Sequence, residues 1–455
     1  MKALRVKVRM GLAPVLLGMV LVSAPEHARA ADRFVSTAGS DTPNDCLSSL
    51  SPCHTVGYAL TQAASGDMVK VAGGSYRENV TVTTATTLTL SGGWANDFSV
   101  QDPVATTTLR AATQLPVLTV LANGVSMTLT VDGLTIERGS NFCSNCVGGG
   151  MSAQVSAGGT LSVALNRVVL LHNQAGFGGG LGAGVVGVGS SLAVTVTDTM
   201  VLANSGSDGG GMGYAADANA SLDVSLDHVL FRRNRALPLD GYPGHAGGLS
   251  VGVAASGPHQ LLVQNSTFDS NSANRLLPYH RAAGGGGMAL SGGDCGMGSC
   301  QFKVMNSVFV HNRAQVVGAI EVFGGADLVN VTATRNSSSY QFPGGVYMDY
   351  GTVRDSILWR NRGSAGYPQD LHSSPGGNVG VDHSDVLDKG GALTDLGGNI
   401  NADPLFVAAP RDIHLGAGSP AIDTGTCAGA PTTDFEGDPR PTGAGCDMGA
   451  DEFVP

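Results

Sequence analysis

The sequence predicts an all-β fold, a right-handed single-stranded parallel β-helix in which short strands wind around one axis in stacked coils. Three sequence phrases predict it, and they recur in a fixed order: an alternating apolar stretch, a bulky residue followed three positions later by Asn, and a Gly pair followed by a small or apolar residue. The 67 glycines among 455 residues are therefore periodic. Internal repetition of one multi-part phrase is typical of a solenoid.

Residues 1–30 have the pattern of a secretory signal peptide. A basic start precedes an apolar run from Gly11 to Ser23, and Ala28 and Ala30 provide the small residues of a cleavage site. The run is shorter than the roughly 20 residues that a membrane-spanning helix needs. We therefore expect cleavage after Ala30, a secreted or cell-surface protein (alternatively a periplasmic one), and no transmembrane span in the mature chain.

Residues 31–110 are expected to form an N-terminal cap and the first coils. The segment from His54 to Ala64 predicts a short helix, because Val56, Ala59 and Leu60 recur on one face at helical spacing. A strand, 66–71, follows it. A solenoid needs its open ends covered, so the helix is predicted to plug the N-terminal end of the core.

Residues 111–400 carry the repeats. Period-two alternation is typical of half-buried strands, and Asn and Gly suit coil corners because both tolerate left-handed backbone conformations. Stacked asparagines can also hydrogen-bond along the axis as a ladder. An antiparallel sandwich is the alternative, but it would not repeat one three-part phrase. The closing asparagines are Asn173, Asn204, Asn234, Asn271, Asn312, Asn336 and Asn361.

Residues 401–455 depart from the repeat and are rich in Pro, Gly and Asp, which predicts a C-terminal cap. The eight cysteines form four local pairs, and in an exported protein such pairs are expected to be disulfides. A metal site at the CxxC pair is the alternative, but no second CxxC or His pair follows at zinc-finger distance. The expected disulfides are Cys46–Cys53, Cys143–Cys146, Cys295–Cys300 and Cys427–Cys446.

The charge balance argues against nucleic acid as a partner. Loss of the signal peptide leaves 20 Lys and Arg against 35 Asp and Glu, a formal charge of −15. Phosphate backbones are bound by Lys and Arg that displace counterions, so an acidic surface repels them. By the same reasoning, an anionic polysaccharide is expected to need a bridging cation.

Several segments resemble known families of exported proteins. The runs 33–41 and 72–78 resemble exported right-handed β-helix repeat proteins, and the FxxN and GGx phrases are similar to the repeats of polymorphic outer membrane proteins, which are adhesins. The tail segments 403–406, 418–423 and 447–452 resemble the choice-of-anchor Q domain. The resemblance implies a β-helix at the cell exterior and assigns no reaction, because function depends on sites.

One outward stripe is the candidate catalytic site. If Ile320 and Val322 point inward, alternation turns Glu321 outward, and the same reasoning turns Tyr347 and Asp349 outward on the next coil. Two carboxylates on adjacent coils lie within reach of the spacing that retaining glycosidases use, and Tyr347 could stack on a sugar. The alternative is an acidic surface exposed to solvent. No sequence run matches the calcium-binding aspartates of a pectate-lyase-like site.

Two other groups of residues are candidate binding sites. The outward positions of the strand at 222–226 make Asp223 and Asp227 candidates for sugar contact. In the tail, Asp434, Asp438, Asp447 and Asp451 could supply oxygen ligands to a structural calcium ion, although they lack the spacing of an EF-hand and equally suit a hydrogen-bonding role. No other cofactor is expected.

These observations favour a non-catalytic, adhesin-like protein that binds extracellular glycans or another cell-surface component. Long polar faces and the lack of an assembled catalytic set in the sequence support this reading. A polysaccharide lyase or glycoside hydrolase acting at Glu321 and Asp349 is the first alternative. A purely structural envelope protein is the second.

Overall fold

The computed structural model describes residues 30–455 except 85–86, 102–105, 218, 241–243, 255–256, 274–283, 293–299, 341 and 365. Residues 1–29, which hold the predicted signal peptide, lie outside the described residues. The chain forms a right-handed parallel β-helix, which confirms the predicted fold class. No helix in the described part of the chain is long and apolar enough to cross a membrane.

The strands are short and follow one another in chain order. The N-terminal region contains β1 (Asp32–Val35), α1 (Val56–Gln62), β2 (Met68–Ala72), β3 (Gly74–Arg77), β4 (Val80–Val82), β5 (Thr87–Trp94), β6 (Thr107–Arg110), β7 (Leu118–Asn123), β8 (Ser126–Asp132), β9 (Leu134–Glu137) and β10 (Ser140–Asn141). The regular coils contain β11 (Met151–Ser156), β12 (Thr160–Asn166), β13 (Val169–Leu171), β14 (Gln174–Ala175), β15 (Leu181–Val185), β16 (Ser191–Thr197), β17 (Met200–Leu202), β18 (Ser205–Gly206), β19 (Met212–Ala216), β20 (Ser221–Asp227), β21 (Leu230–Arg232), β22 (Arg235–Ala236), β23 (Leu249–Val253), β24 (His259–Gln264), β25 (Thr267–Asp269), β26 (Ser272–Ala273), β27 (Met288–Gly292), β28 (Cys300–Met305), β29 (Val308–Val310) and β30 (Arg313–Ala314). The last coils and the tail contain β31 (Ile320–Val329), β32 (Thr332–Thr334), β33 (Ser337–Ser338), β34 (Val346–Arg354), β35 (Ile357–Trp359), β36 (Leu371–Asp382), β37 (Asp385–Val386), β38 (Lys389–Gly390), β39 (Leu393–Gly397), β40 (Phe406–Ala408) and β41 (Asp412–Leu415).

Each regular coil has three strands and a fourth, two-residue strand. In one coil β15, β16, β17 and β18 pair in parallel with β19, β20, β21 and β22 of the next. The two-residue strand directly follows the closing Asn of the coil, as Ser205–Gly206 follows Asn204. In the last coils β31, β34 and β36 run through one corner without a break, with register shifts at the bend.

The core lies inside the coils, where alternation places every second side chain. Leu161, Val163 and Leu165 on β12 are each at most 2% exposed, and the residues in register with them on the next coils are equally buried. The bulky position of the second phrase forms a stack in which Phe231, Phe268 and Phe309 lie parallel, with ring centroids 4.5 Å apart. Each coil therefore buries its apolar face on its neighbours.

The closing asparagines form one continuous ladder inside the helix. In each rung, such as Asn234 to Asn271, the backbone N–H and the side-chain Nδ2 of one Asn both donate to Oδ1 of the next at about 3.0 Å. The prediction that the Asn has the left-handed backbone conformation is wrong. The residue before each Asn has it, for example Arg233 with φ of 57°. The Asn is required for its amide, because its Oδ1 accepts two hydrogen bonds while its Nδ2 donates two, whereas a hydroxyl has only one proton to donate.

The glycine pairs form a column beside this ladder. At Gly179 a Cβ would lie 2.3 Å from the carbonyl oxygen of Ser205 and 2.4 Å from that of Gly210, which occupies the same position on the next coil. Backbone therefore approaches backbone too closely for any side chain. This contact explains why the glycine phrase recurs.

The N-terminal cap agrees with the prediction in place and differs in length. The helix spans Val56–Gln62 rather than His54–Ala64, and Thr55 caps it by accepting a hydrogen bond from the backbone of Tyr58. Val56 and Ala59 are fully buried against the first coils. The helix is therefore shorter than predicted, but it buries the predicted face.

Three of the four predicted disulfides are present, Cys46–Cys53, Cys143–Cys146 and Cys427–Cys446. Cys295 lies outside the described residues, so the fourth pair is not described. Because Cys143 and Cys146 bond to each other, neither sulfur is a free thiolate ligand for a metal. The pairs are local staples of loops.

The tail packs on the outer face of the strands β29, β32 and β35. Asn330 donates through Nδ2 to the carbonyl oxygens of Asp447 and Gly449, both at 3.2 Å. Apolar side chains close the contact, and Trp359, Leu415 and Met448 share one buried cluster. The cap is thus fixed to the side of the last coils.

Candidate functional site

The candidate catalytic stripe lies on the outer side of β31, β34 and β36. Glu321, Tyr347 and His372 occupy the same register position on three successive coils. Their neighbours Ile320 and Val322 are fully buried in the core, so alternation turns the stripe outward as expected. His372 was not among the sequence candidates, although the register of its strand with Tyr347 would have indicated it.

Glu321 is covered despite facing outward. Glu321 is only 3% exposed, and its carboxyl accepts a hydrogen bond from the backbone N–H of Gly285. The backbone at Gly284 lies so close that a Cβ there would be 1.8 Å from Oε2 of Glu321. Burial, with a smaller contribution from the charge of Asp349, raises the pKa of Glu321 to about 7. A carboxyl of this kind is protonated in part at neutral pH and can serve as a proton donor.

Asp349 lies at a register shift rather than opposite Glu321. The backbone N–H of Gly324 donates to its Oδ2 at 3.2 Å. It is half-buried and close enough for its charge to act on Glu321. The two carboxyls are therefore neighbours on adjacent coils, and Tyr347 lies in register with Glu321.

Tyr347 is buried in an aromatic cluster, which corrects the expectation that it stacks on a sugar. Its ring centroid lies 5.2 Å from that of Phe342, 5.8 Å from that of Phe323 and 6.0 Å from that of His372. The residue is 8% exposed, and burial raises the pKa of its phenol. The ring contacts the protein, and it leaves no free face for a ligand.

A shallow groove of about 710 Å³ lies across β20, β24, β28, β31 and β34, and we call it the polar groove. Asp223, Gln260 and Gln301 are in register along it, and Lys303 is in register with Asp327. Thr352 donates to Asp327 at 2.6 Å. Its principal lining side chains are Asp223, Ser225, Gln260, Gln301, Lys303, Asp327 and Tyr350.

The polar groove separates the two sugar-contact candidates. Asp223 is exposed in it, whereas Asp227 does not line it. Asp227 accepts a hydrogen bond from Nδ2 of Asn265 at 2.8 Å, and its Oδ1 lies 2.8 Å from Nδ1 of His228. Tyr350, 43% exposed, is the aromatic of this surface. Alignment of the alternating phrases would have placed Gln260 and Gln301 in one column with Asp223, but the bend that brings Tyr350 beside them leaves no sequence signal.

The tail carboxylates are used by the backbone. Asp434 accepts four backbone hydrogen bonds through its two oxygens, and Asp447 and Asp451 also accept backbone N–H groups. Burial raises the pKa of both Asp447 and Asp451 to about 6. Asp438 is exposed beside them. Among the described residues no group of three or more acidic, His or Cys side chains could hold a metal ion.

At the edge of the tail His414 joins two carboxylates. Its Nδ1 lies 2.6 Å from Asp412 and its Nε2 lies 2.6 Å from Glu436. Burial lowers the pKa of His414, but the hydrogen bonds to the two carboxylates outweigh burial and raise it to about 9. These residues line a cleft of about 530 Å³ between the tail and β29.

Comparison with known proteins defines the fold and leaves the family open. No family model matches the chain, and no curated protein matches it significantly. Among solved structures the chain is similar to the crystal structure of pectate lyase Pel9A, with a TM-score of 0.50 and 13% identity over 93% of this chain and 96% of that one. At this identity the likeness concerns the parallel β-helix. The resemblances to polymorphic outer membrane proteins and to choice-of-anchor Q domains stay predictions.

Proposed function

We propose that this protein is a secreted or envelope-associated, non-catalytic glycan-binding protein that binds sugars in the polar groove. The observation that carries the proposal is the composition of the groove: amides, carboxylates and an ammonium group stand on rigid strands beside the exposed ring of Tyr350. Such groups match the hydroxyls of a sugar, and an aromatic ring offers its apolar face. The disulfides agree with export, and the resemblance to adhesin repeats agrees with binding.

The groove is tested with the mature chain, residues 31–455, on a glycan array. Tyr350→Ala is expected to lower affinity about tenfold for the neutral glycans that bind, because the stacking surface is lost. Tyr340→Ala is the matched control, since Tyr340 is an equally exposed tyrosine, at 48%, that does not line the groove. Equal effects of the two variants, or no glycan binding at all, would overturn the proposal.

A carbohydrate-active enzyme is the second candidate, and the pKa of about 7 for Glu321 favours it. In this reading Glu321 would donate a proton to a leaving oxygen while Asp349 acts as the second carboxyl. The cover over Glu321 counts against it. Assays for new reducing ends and for unsaturated uronates on polysaccharides distinguish the two. Product formation that Glu321→Gln abolishes would establish the enzyme, and absence of product would exclude this role.

A structural envelope protein is the remaining alternative. It has no observation of its own beyond the regular solenoid. No binding on the glycan array together with no product in either of the two product assays would favour it.

A further inference from the structure

The described arginines are not spread evenly over this acidic chain. Beside the asparagine ladder, the residue after each Asn occupies the two-residue strand, and these strands pair coil to coil. This row contains Arg235, Arg313 and Arg362, which alternate with Ser272 and Ser337. With roughly 4.8 Å between neighbouring strands, the three arginines recur about every 10 Å along the axis.

A second row runs next to the first. It consists of the left-handed residues that precede each Asn, and it contains Arg233, His311, Arg335 and Arg360. All four side chains are exposed, as are the three arginines of the first row. We call the two rows together the arginine band.

Most of the band has no counter-charge. Arg360 pairs with Asp403, and His311 lies 3.8 Å from Asp269. Among the described residues, the ion pairs within 4 Å include none of the other arginines, which are Arg233, Arg235, Arg313, Arg335 and Arg362. Residues 274–283, which follow β26 in the sequence, contain two arginines and no acidic residue. A row of unpaired guanidinium groups on a chain of net charge −11 calls for an anionic partner.

We propose that the arginine band binds an acidic polysaccharide. Guanidinium groups bind carboxylates and sulfates through two parallel hydrogen bonds, so exposed arginines suit such groups better than lysines. A straight row with a charge about every 10 Å fits an extended polymer whose charges are widely spaced. This surface is separate from the polar groove and goes beyond the function proposed for it. On this proposal an anionic glycan would need no bridging cation, unlike the expectation drawn from net charge, because net charge does not describe local charge.

Nucleic acid is the less suitable partner. Duplex DNA has one charge for about every 1.7 Å of its axis and would bring much of this density against the acidic remainder of the surface. Single strands are bound on stacking aromatic rings. Neither row of the band contains Phe, Tyr or Trp among the positions described above.

The test measures binding of the mature chain to polygalacturonate, with dextran as the neutral polymer and a short duplex DNA as the other polyanion. Polygalacturonate is expected to bind, to weaken steeply with added salt, and to bind more tightly than the DNA. The triple variant Arg235→Ala, Arg313→Ala, Arg362→Ala should lose roughly tenfold or more in affinity. Replacement of the same three residues by Lys should lose less, because charge is kept and the fork is removed.

The control removes three positive charges outside the band, by Arg77→Ala, Arg167→Ala and Lys389→Ala, and should change affinity less than about twofold. All variants remove exposed side chains, and circular dichroism verifies their folding. Equal losses of affinity in the triple alanine variant of the band and in the triple control variant would overturn the proposal. Tighter binding of DNA than of polygalacturonate, or no binding of polygalacturonate, would also overturn it. Tyr350→Ala should leave polygalacturonate binding unchanged, so failure of the groove and failure of the band are distinguishable.

Discussion

The coils and the tail satisfy their backbones in opposite ways. In the coils the N–H and C=O groups pair between parallel strands, and neutral amides such as that of Asn271 close each corner. In the tail β40 and β41 are the one pair of strands, and two isolated bridges join Gly425 to Cys446 and Thr433 to Pro439. Buried ionisable groups add further bonds: Arg440 donates to three carbonyl oxygens and contacts Glu452 at 3.1 Å. The repeated corners are thus closed by neutral amides, whereas the irregular tail depends on buried ionisable groups.

This difference predicts where the molecule responds to pH. Amides do not titrate, so the ladder itself is insensitive to pH until it reaches its last member. The tail contains several carboxyls and an imidazole with shifted pKa values. Each prediction below tests whether the two regions respond independently.

The largest expected effect is that of Arg440→Met. The change leaves Glu452 buried without its partner and frees the carbonyl oxygens of Asp447 and Gly449, at a cost of about 3–5 kcal/mol. The loss should be confined to residues 412–455. Hydrogen exchange and limited proteolysis measure it. Equal loss of protection in the coils at 151–206 would contradict the independence of the two regions.

The matching change in the coils is Asn271→Ala. It leaves donors of Asn234 unsatisfied in the interior and should lower the free energy of unfolding by about 2–3 kcal/mol. Urea unfolding measures it. Asn378→Ala removes an exposed amide and is the control, with an expected change within about 0.5 kcal/mol. Similar results for both would show that the ladder contributes no more than a surface amide.

Asp370 is where the ladder ends, and it is the place at which the ladder should sense pH. Its Oδ1 accepts both donors of Asn361, its Oδ2 has no partner among the described residues, and burial raises its pKa to about 7. Because the pKa of Asp370 is higher in the folded chain than in the unfolded chain, the protonated carboxyl stabilises the fold, and this contribution is fully present below about pH 4. The contribution is lost as the pH rises through about 7, where the buried carboxyl ionises.

Asp370→Asn removes the charge and keeps the acceptor. The variant should match the wild type near pH 4 and be more stable by about 2 kcal/mol at pH 8. Unfolding free energies across this pH range measure the difference. A difference independent of pH would contradict the assignment.

The smallest effect is expected at His414. Its raised pKa stabilises the tail below pH 6.5, and this contribution is lost as the pH rises through about 9. The effect is small because the imidazole is 45% exposed and water screens the pair. Proteolysis of the tail should accelerate between pH 7 and pH 9 in the wild type. His414→Gln should show no such step, and an identical step in both would assign it to another group.

The sequence predicted what repetition encodes. Leu161 and its counterparts, the Phe and Asn of the second phrase, and three of the local cysteine pairs follow from period and spacing, and the structure has them as predicted. The alternation also turned Glu321 outward. These features depend on residues close in sequence or at equal positions in neighbouring coils.

What the sequence could not predict depends on contacts between unlike segments. Glu321 is covered by the backbone of the preceding coil, which can approach its carboxyl because Gly284 has no side chain. Tyr347 is covered by Phe342, which lies at a corner of the coil. The arginine band was hidden in a net charge of −11, since a total does not tell which strand edge a charge occupies. The corner asparagines were assigned the wrong backbone conformation, because the ladder uses their amides.

The glycine column also governs how this molecule can change its length. Gly179 and Gly210 occupy the same position on neighbouring coils, and their close contact requires the backbones of the coils to superpose there. The number of residues between successive ladder asparagines nevertheless varies from 24 to 41. Extra chain therefore enters as side loops, and a whole coil is the natural unit of duplication or deletion. A lineage carrying this fold can extend or shorten its surface in complete turns without redesigning the interior.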